Sequence, residues 1–294
     1  MRKWSWKMAA ALAAAWLAHA PGAAAVPVGY SLVWADEFEG DALDASKWGH
    51  HQLGPRRSAI NLAEAVRLDG AGHLVIDTWT GEDGVHHTGM INTRDRFEPT
   101  YGWFEARIEL RDMAGGMWSA FWMQSRDMGS VIGDPGASGV EIDIQEGRAE
   151  CGPGCDVRDV WQGSLYWDGY GADLKRMSSG RRIPGLGEGF HVFALEWTPT
   201  AYRFYVDGQL VWEPANPPIS HRGEFVVLSS EVESVASFSG FIPEGGFGAR
   251  GDGTPQMVVD YVRIYQVVPE PGSALLVATG LGAVALRRAR RRDA

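Results

Sequence analysis

The chain has 294 residues, of which 45% are hydrophobic, 22% charged and 11% aromatic, a globular composition that excludes a disordered polymer. Its 38 glycines and 15 prolines would break helices repeatedly, which argues against a helical bundle or solenoid and favours an all-β domain. Residues 26–271 hold 19 basic and 36 acidic residues, and this net charge of −17 repels nucleic acids and other polyanions, so we expect a neutral or cationic partner.

The N-terminal segment has the pattern of a secretory signal peptide. A short basic stretch, residues 1–7, precedes an apolar stretch of small residues, 8–20, and residues 23–25 offer an A-x-A cleavage site before Val26. A buried N-terminal helix is the alternative, but no amphipathic face would dock it. We therefore expect residues 1–25 to be removed from an exported protein.

The region between the two ends has the alternating pattern of β-strands. Apolar and polar residues alternate over 103–110 and 257–266, and Asp207-Gly208 between two apolar runs indicates a hairpin. Further strand candidates are residues 74–79, 118–123, 140–146, 161–167, 191–197, 202–206, 210–212 and 225–231. A dozen or so strands without a dividing linker predict a sandwich of two antiparallel, curved sheets. The Gly-rich segments 126–139 and 168–189 are predicted to be long loops beside a cleft.

An acidic motif, Glu141-Ile142-Asp143-Ile144-Gln145-Glu146, concentrates the chemistry of the chain. On a regular strand Glu141 and Asp143 share a face and Glu146 points to the other one. One bulge between Asp143 and Glu146 would bring all three carboxylates to one face. The backbones of Glu141 and Glu146 would then be about 13 Å apart, and inward-leaning side chains could approach the ~5–5.5 Å carboxyl separation of a retaining glycosidase.

The acidic motif has two other interpretations, an exposed strand with three solvated acids and a calcium site. Aromatic residues around it favour a sugar cleft, because Trp rings stack on sugar rings. Ten of the 13 Trp residues lie within 26–271, and Trp118, Trp122, Trp161 and Trp167 flank the motif on neighbouring strand candidates. A single Trp is more often a core residue, so it is the set flanking three acids that favours a sugar cleft.

The two cysteines, Cys151 and Cys155, are the only ones in the chain. Because the chain is expected to be exported, we predict a disulfide between them. The alternative is a pair of free thiols, since so short a loop could strain the bond. A count of two free thiols under denaturation would contradict the pairing.

The C-terminal segment, residues 268–294, joins Val268-Pro269-Glu270-Pro271, an uncharged run of 15 residues and a cluster of five arginines. The run would be roughly 22 Å long as a helix, short for a ~30 Å hydrocarbon core unless the arginines snorkel. The three parts resemble the PEP-CTERM sorting signal of Gram-negative bacteria. That resemblance implies processing by an exosortase-like enzyme and delivery to the cell envelope, the outer surface or the extracellular matrix.

Seven further segments form a pattern with the acidic motif: LVWADEF (32–38), LDASKW (43–48), YGWFEAR (101–107), MWSAFWM (117–123), EWTP (196–199), YVDG (205–208) and VDYVRIY (259–265). In this order, over nearly all of residues 30–267, they resemble glycoside hydrolase family 16. The resemblance implies a concanavalin-like β-jelly roll over residues 26–267, with a concave cleft in which β-linked glucans or galactans are cleaved with retention. The E-x-D-x-x-E spacing is similar to the bulged branch that holds laminarinases and agarases.

The resemblance also implies roles for single residues. Glu141 maps onto the nucleophile, Asp143 onto its carboxylate helper and Glu146 onto the general acid/base. The expected substrate-binding residues are Trp118, Trp122, Trp103, Tyr166 and Trp167. The reaction needs no cofactor, but a structural Ca²⁺ is expected on Glu37, Asp260 and a carbonyl near Gly72, through hard oxygen ligands.

Two positions depart from the family pattern and leave the substrate open. Tyr166 stands where many laminarinase-like members carry His, and Trp103 stands where Arg is often found. We expect a monomeric, exported endo-β-1,3-glucanase. The alternatives are a β-agarase or other galactanase, a transglycosylase, and a non-catalytic carbohydrate-binding surface protein. A metal hydrolase is disfavoured because the eight His residues show no H-x-x-E-H or H-x-x-x-H spacing.

Overall fold

The computed structural model describes residues 26–152, 154–251 and 253–267, so the predicted signal peptide and sorting segment lie outside it. Within these ranges two short helical segments, Ala63–Ala65 and Pro135–Ser138, accompany 19 strands. In chain order the strands are β1 (Tyr30–Asp36), β2 (Gly49–His50), β3 (Gly54–Arg56), β4 (Ala59–Asn61), β5 (Val66–Leu68), β6 (Leu74–Asp77), β7 (Trp79–Thr80), β8 (His86–Thr88), β9 (Met90–Asn92), β10 (Gly102–Arg111), β11 (Met117–Gln124), β12 (Glu141–Arg148), β13 (Val160–Trp167), β14 (Lys175–Arg182), β15 (His191–Trp197), β16 (Tyr202–Val206), β17 (Gln209–Trp212), β18 (Phe225–Val232) and β19 (Gln256–Val267).

Two large antiparallel sheets contain most of these strands. The first sheet has eight strands in the order β17-β16-β15-β10-β19-β6-β5, and β1 pairs with the second half of β19. The second sheet has seven strands in the order β14-β13-β12-β11-β18-β9-β2. A four-stranded sheet, β3-β4-β8-β7, completes the described fold. The predicted sandwich of two antiparallel sheets is therefore confirmed.

The main hydrophobic core lies between the two large sheets. Phe104 and Ile108 of β10 contribute to it from the first sheet, and Phe121, Ile142 and Leu228 contribute from the second. These residues are at most 1% exposed. Since side chains alternate along a strand, the residues between them point to the outer faces of the sandwich. On the second sheet, that outer face carries the acidic motif.

The predicted hairpin turn at Asp207-Gly208 is present, but a strand occupies part of a segment that was predicted to be a loop. Asp207 and Gly208 both have positive φ, 47° and 76°, as a two-residue hairpin turn of type I′ requires. Segment 168–189 was expected to be a loop, and this prediction is wrong for its middle, which forms the edge strand β14. β14 is polar and largely exposed on both faces, so it has no apolar alternation to identify it.

A disulfide joins Cys151 and Cys155 in the loop that follows β12, and their Cα atoms are 5.2 Å apart.

A membrane span requires a long and apolar helix. Among residues 26–267 as described, none of the helical segments has the length and apolar character needed to cross a membrane.

Candidate active site

A β-bulge on β12 sets the geometry of the acidic motif. Trp122 of β11 pairs with Asp143, and the preceding Phe121 pairs with Gln145, so Ile144 has no partner on β11. The indole nitrogen of Trp161 donates to the carbonyl of Ile144 at 3.0 Å and satisfies the bulged backbone. Because one extra residue reverses the alternation, Glu141, Asp143 and Glu146 all line one cleft, as the bulge hypothesis requires.

Glu141 stands at the start of β12 and is held through one of its two carboxylate oxygens. The Tyr170 hydroxyl donates to Oε2, and Nε2 of Gln124 lies 3.5 Å from the same atom. Burial raises the pKa of Glu141 to about 7, and the nearby charge of Glu146 acts in the same direction. The Tyr170 hydrogen bond opposes this rise because it stabilises the ionised form.

Asp143 is the most isolated of the three acids. It is 5% exposed, and its Oδ2 has no hydrogen-bond partner among the described residues. Burial, followed by the charges of Glu146 and Glu141, raises the pKa of Asp143 well above its usual range. An acid in this position retains its proton when its neighbours ionise.

Among the described residues, the hydrogen-bond donors to Glu146 are all neutral groups. Ser164 Oγ and Gln162 Nε2 donate to its Oε2 at 2.9 and 3.1 Å. Burial raises the pKa of Glu146, while these two donors and the charge of Arg148 oppose the rise. Arg148 itself donates to Gln162 Oε1 at 2.6 Å and so fixes the amide that faces Glu146. A buried carboxyl with neutral donors can carry a proton near neutral pH.

The three acids lie in a cleft of about 800 Å³ on the second sheet. Trp118, Trp122 and Tyr166, three of the residues expected to bind substrate, line it. The ring of Trp118 packs edge-on against Phe238, with ring centroids 5.2 Å apart, and Trp122 donates to Ser229 Oγ at 3.0 Å. Aromatic walls around central carboxylates suit a chain of sugar rings.

Two predicted substrate-binding residues are not in this cleft. Trp103 lies on β10 in the first sheet, is 2% exposed and packs against Tyr205 with ring centroids 4.9 Å apart. Trp167 follows Tyr166 on β13, so it points to the opposite face and packs against the main core. The assignments of Trp103 and Trp167 to substrate binding are therefore wrong, because strand alternation directs both rings elsewhere.

The residues expected to hold calcium have other partners. Arg263 donates to both oxygens of Glu37 at 2.8 Å, and Arg107 donates to Asp260 at 2.6 Å. The described residues contain no cluster of three or more metal-ligating side chains. A Ca²⁺ held by Glu37, Asp260 and the Gly72 carbonyl would have to displace the guanidinium groups that already contact these carboxylates. Calcium binding stays a prediction, and an unchanged melting temperature with and without EDTA would count against it.

The structure adds polar residues that the sequence patterns did not identify. Tyr170 and Gln124 contact Glu141, Ser164 and Gln162 contact Glu146, and Glu231 lies in the cleft. Arg56 donates to Glu231 at 2.7 Å, and Arg57 pairs with the same carboxylate. A polar residue opposite an acidic motif is visible only once strand register is known.

Comparison with known proteins agrees with the site geometry. The model of Glycosyl hydrolases family 16 matches residues 57–229. A β-glucanase from Rhodothermus marinus is 30% identical over 260 residues, covering 81% of this chain and 86% of the relative. A glucan endo-1,3-β-glucosidase A1 from Niallia circulans is 26% identical over 81% of this chain, which spans 38% of that longer protein.

A solved structure has the same architecture. The catalytic domain of an endo-1,3-β-glucanase (laminarinase) from Thermotoga petrophila RKU-1 matches with a TM-score of 0.60 and 25% identity, covering 82% of this chain and 99% of that one. The family model thus spans β12 and its bulge, and the structural match spans both large sheets. This chain belongs to glycosyl hydrolases family 16 and is a glycoside hydrolase with the family's β-jelly-roll sandwich.

Proposed function

We propose that this chain is a retaining endo-glycosidase that hydrolyses β-1,3-linked glucan through a covalent glycosyl-enzyme. The observation that carries the proposal is the bulge at Ile144, which brings Glu141, Asp143 and Glu146 to the same cleft. Glu141 is the nucleophile, Glu146 is the general acid and base, and Asp143 tunes the pair. The reaction uses no cofactor in this proposal.

The chemistry follows from the partners of the two glutamates. Protonated Glu146 donates its proton to the glycosidic oxygen, the bond from that oxygen to the anomeric carbon breaks, and ionised Glu141 attacks the same carbon. Glu146, now ionised, then takes a proton from water, and the resulting hydroxide displaces Glu141 from the anomeric carbon. Two inversions leave the product in the β configuration.

Asp143 contributes through its proton. Because burial keeps its pKa high, the group stays neutral beside Glu141 and adds no negative charge where the nucleophile must ionise. Its role is to hold the nucleophile in its reactive state, without attacking the substrate itself.

A neutral β-glucan is the substrate class that the relatives and the charge distribution favour. Both curated relatives described above carry glucan-cleaving names. Arg56 and Arg57 in the cleft are already paired with Glu231, whereas Arg176, which also lines the cleft, has no ion-pair partner among the described residues. A sulfated galactan is therefore disfavoured by the net charge of −17 over residues 26–271. Galactanase and transglycosylase activities remain the alternatives that the assay must separate.

The test is a substrate panel with product analysis. Purified protein is assayed on laminarin, lichenan, agarose and carrageenan, and the first product is followed by NMR. We expect fastest release of oligosaccharides from laminarin and a first product with the β anomer. Preferential cleavage of agarose would establish the galactanase alternative, longer products would indicate transglycosylation, and an initial α anomer would overturn the retaining mechanism.

Export and processing form a separate part of the proposal. Residues 1–25 serve as a signal peptide, residues 26–267 form the catalytic domain, and residues 268–294 serve as a sorting signal cut near Pro269–Pro271. The support is the pattern of those segments alone. Mass spectrometry of native material should find neither the signal peptide nor residues 287–294, in protein recovered from the envelope or outside the cell. Mature protein that retains residues 287–294 would contradict this part.

A further inference from the structure

A tyrosine outside the acidic motif holds one oxygen of Glu141. The Tyr170 hydroxyl donates to Oε2 of Glu141, and Gln124 Nε2 donates to that hydroxyl. Glu141 is half-buried, and no hydrogen bond among the described residues involves its Oε1. The two oxygens of one carboxylate therefore have different surroundings.

The loop that carries Tyr170, residues 168–174, is fixed by contacts with the loop 126–139. Gly129 and Gly169 pack backbone to backbone, and a Cβ on Gly129 would lie 2.7 Å from the Gly169 Cα. Asp168 accepts from the Gly133 amide at 2.9 Å and from Lys175 at 2.8 Å. Because the Asp168 side chain is fully buried, these bonds set the position of the next residues, including Tyr170.

We propose that Tyr170 is a positioning residue that, with Gln124, holds Oε2 of Glu141 and leaves Oε1 as the oxygen that attacks the anomeric carbon. This inference rests on the proposed function, since it assigns the orientation of the nucleophile used there. A carboxylate held through one oxygen cannot rotate freely, so the other oxygen stays aimed at the cleft.

The charges around Glu141 explain why such a hydrogen bond matters. Glu146 and Glu231 raise its pKa and Arg56 lowers it, while Asp143 lies on the same strand. Buried Glu224 also interacts with Glu141 through its charge.

Among these groups Tyr170 is a neutral donor that favours the ionised nucleophile. Burial and the charge of Glu141 raise the pKa of Tyr170, so its hydroxyl keeps the proton that it donates. Removal of this hydroxyl should therefore make Glu141 harder to ionise.

The first experiment measures ionisation of Glu141 without any substrate. ¹³C-detected NMR titration follows the carboxyl signal of Glu141, assigned by its loss in Glu141→Gln, in the wild-type protein and in Tyr170→Phe. We expect the midpoint of Glu141 to rise by about one pH unit in Tyr170→Phe. Tyr30→Phe is the matched control, because Tyr30 donates to Glu196 at 3.3 Å on the first sheet. It should leave the Glu141 midpoint unchanged.

The second experiment uses turnover of laminarin. In Tyr170→Phe the acidic limb of kcat/KM should move up by the same amount as the NMR midpoint, with kcat reduced more than KM is changed. The hydroxyl end of Tyr170 is enclosed by Glu141 and Gln124, but the residue as a whole is 60% exposed, so the substitution should not impair folding. An unchanged Glu141 midpoint or an unchanged acidic limb would overturn the proposal. A wild-type protein that hydrolyses none of the glycans would instead refute the proposed function, whatever the titration shows.

Discussion

Asp260 and Glu196, on the outer face of the first sheet, differ from the cleft carboxylates in their partners. On the first sheet Arg107 donates to Asp260 at 2.6 Å, and Arg203 donates to Glu196 at 2.9 Å. In the cleft, Oδ2 of Asp143 has no partner in the part of the chain that the structure describes, and Glu146 accepts there from neutral Ser164 and Gln162. A carboxylate against a guanidinium stays ionised, whereas a buried one without a cation can exchange a proton.

This contrast separates acids that form structural ion pairs from acids that can take part in catalysis. Glu231 shows that position alone does not decide the matter, because it lies in the cleft but pairs with Arg56 and Arg57. Perturbed protonation, combined with placement on one face, distinguishes Glu141, Asp143 and Glu146 from the other acids nearby. Substitutions on the two sheets should therefore have different kinds of effect.

The largest effect is expected from Glu141→Gln. The amide has the shape of the carboxyl group but cannot form the glycosyl-enzyme, so kcat on laminarin should fall on the order of 10⁴-fold. Glu196→Gln is the matched control on the first sheet, and its kcat should be unchanged. Initial-rate kinetics of both variants make the comparison, and near-normal turnover by Glu141→Gln would refute its assignment as nucleophile.

A smaller loss, and one that can be reversed, is expected for Glu146→Ala. General acid catalysis contributes roughly 10²–10⁴-fold, so turnover of a polysaccharide should fall by that order. On an aryl glycoside with a good leaving group, azide should restore turnover, because that substrate needs no acid and azide needs no base. The measurement is the rate with and without azide, together with detection of a β-glycosyl azide. Failure of azide to accelerate the variant would argue against Glu146 as acid and base.

The third prediction concerns the free energy of unfolding, which should be lowered by ionisation of a buried acid that has no cation beside it. Glu224 at the end of the loop before β18 accepts from the Val140 amide at 3.2 Å, and burial raises its pKa to about 8 from 4.5. Between these two pH values the unfolded state releases the proton and the folded state keeps it, so the free energy of unfolding should fall by roughly 1.4 kcal/mol per pH unit.

Urea unfolding of wild type and Glu224→Gln between pH 4 and 9 measures this dependence. The variant should lose the part of the slope that Glu224 causes and so gain stability relative to wild type as the pH rises. Glu196→Gln should leave the slope unchanged, because Glu196 is paired with Arg203 whereas Glu224 has no cation partner among the described residues. Equal slopes in wild type and Glu224→Gln would contradict the prediction.

The smallest expected effect compares two tryptophans on opposite sheets. Trp118 lines the cleft, so Trp118→Ala should raise KM for laminarin about tenfold through loss of sugar stacking. Trp103→Ala should lower the free energy of unfolding by about 3–5 kcal/mol and leave KM unchanged, because its ring is buried in the first sheet. Steady-state kinetics and urea unfolding of both variants separate the roles. A raised KM for Trp103→Ala would show that the faces were assigned wrongly.

The sandwich and the bulge could be predicted from the sequence because both follow from local alternation. The spacing of Glu141, Asp143 and Glu146 requires one extra residue for the acids to share a face, and the structure places that residue at Ile144. Trp103 and Trp167 could not be assigned in this way. Alternation shows that two residues point to opposite faces but not which face is the cleft.

Local sequence patterns could not identify the residues that reach the cleft from other strands and loops. Tyr170 belongs to a loop with no period, and its contact with Glu141 spans 29 residues of sequence. Arg56 meets Glu231 across 175 residues, so their pairing depends on the assembled second sheet and the small sheet beside it. Such contacts follow from tertiary packing rather than from propensity.

Trapping of the covalent intermediate tests the central claim most directly. A 2-deoxy-2-fluoro-β-laminaribiosyl fluoride reacts with the nucleophile and loses its anomeric fluoride, but the resulting glycosyl-enzyme is hydrolysed slowly. The glycosyl-enzyme should therefore accumulate, and the labelled peptide can be mapped by mass spectrometry. The account predicts one glycosyl group per protein, on Glu141, and none on Glu146 or Asp143. A label on Glu146 or Asp143, or turnover without any labelled enzyme and with an α product, would contradict it.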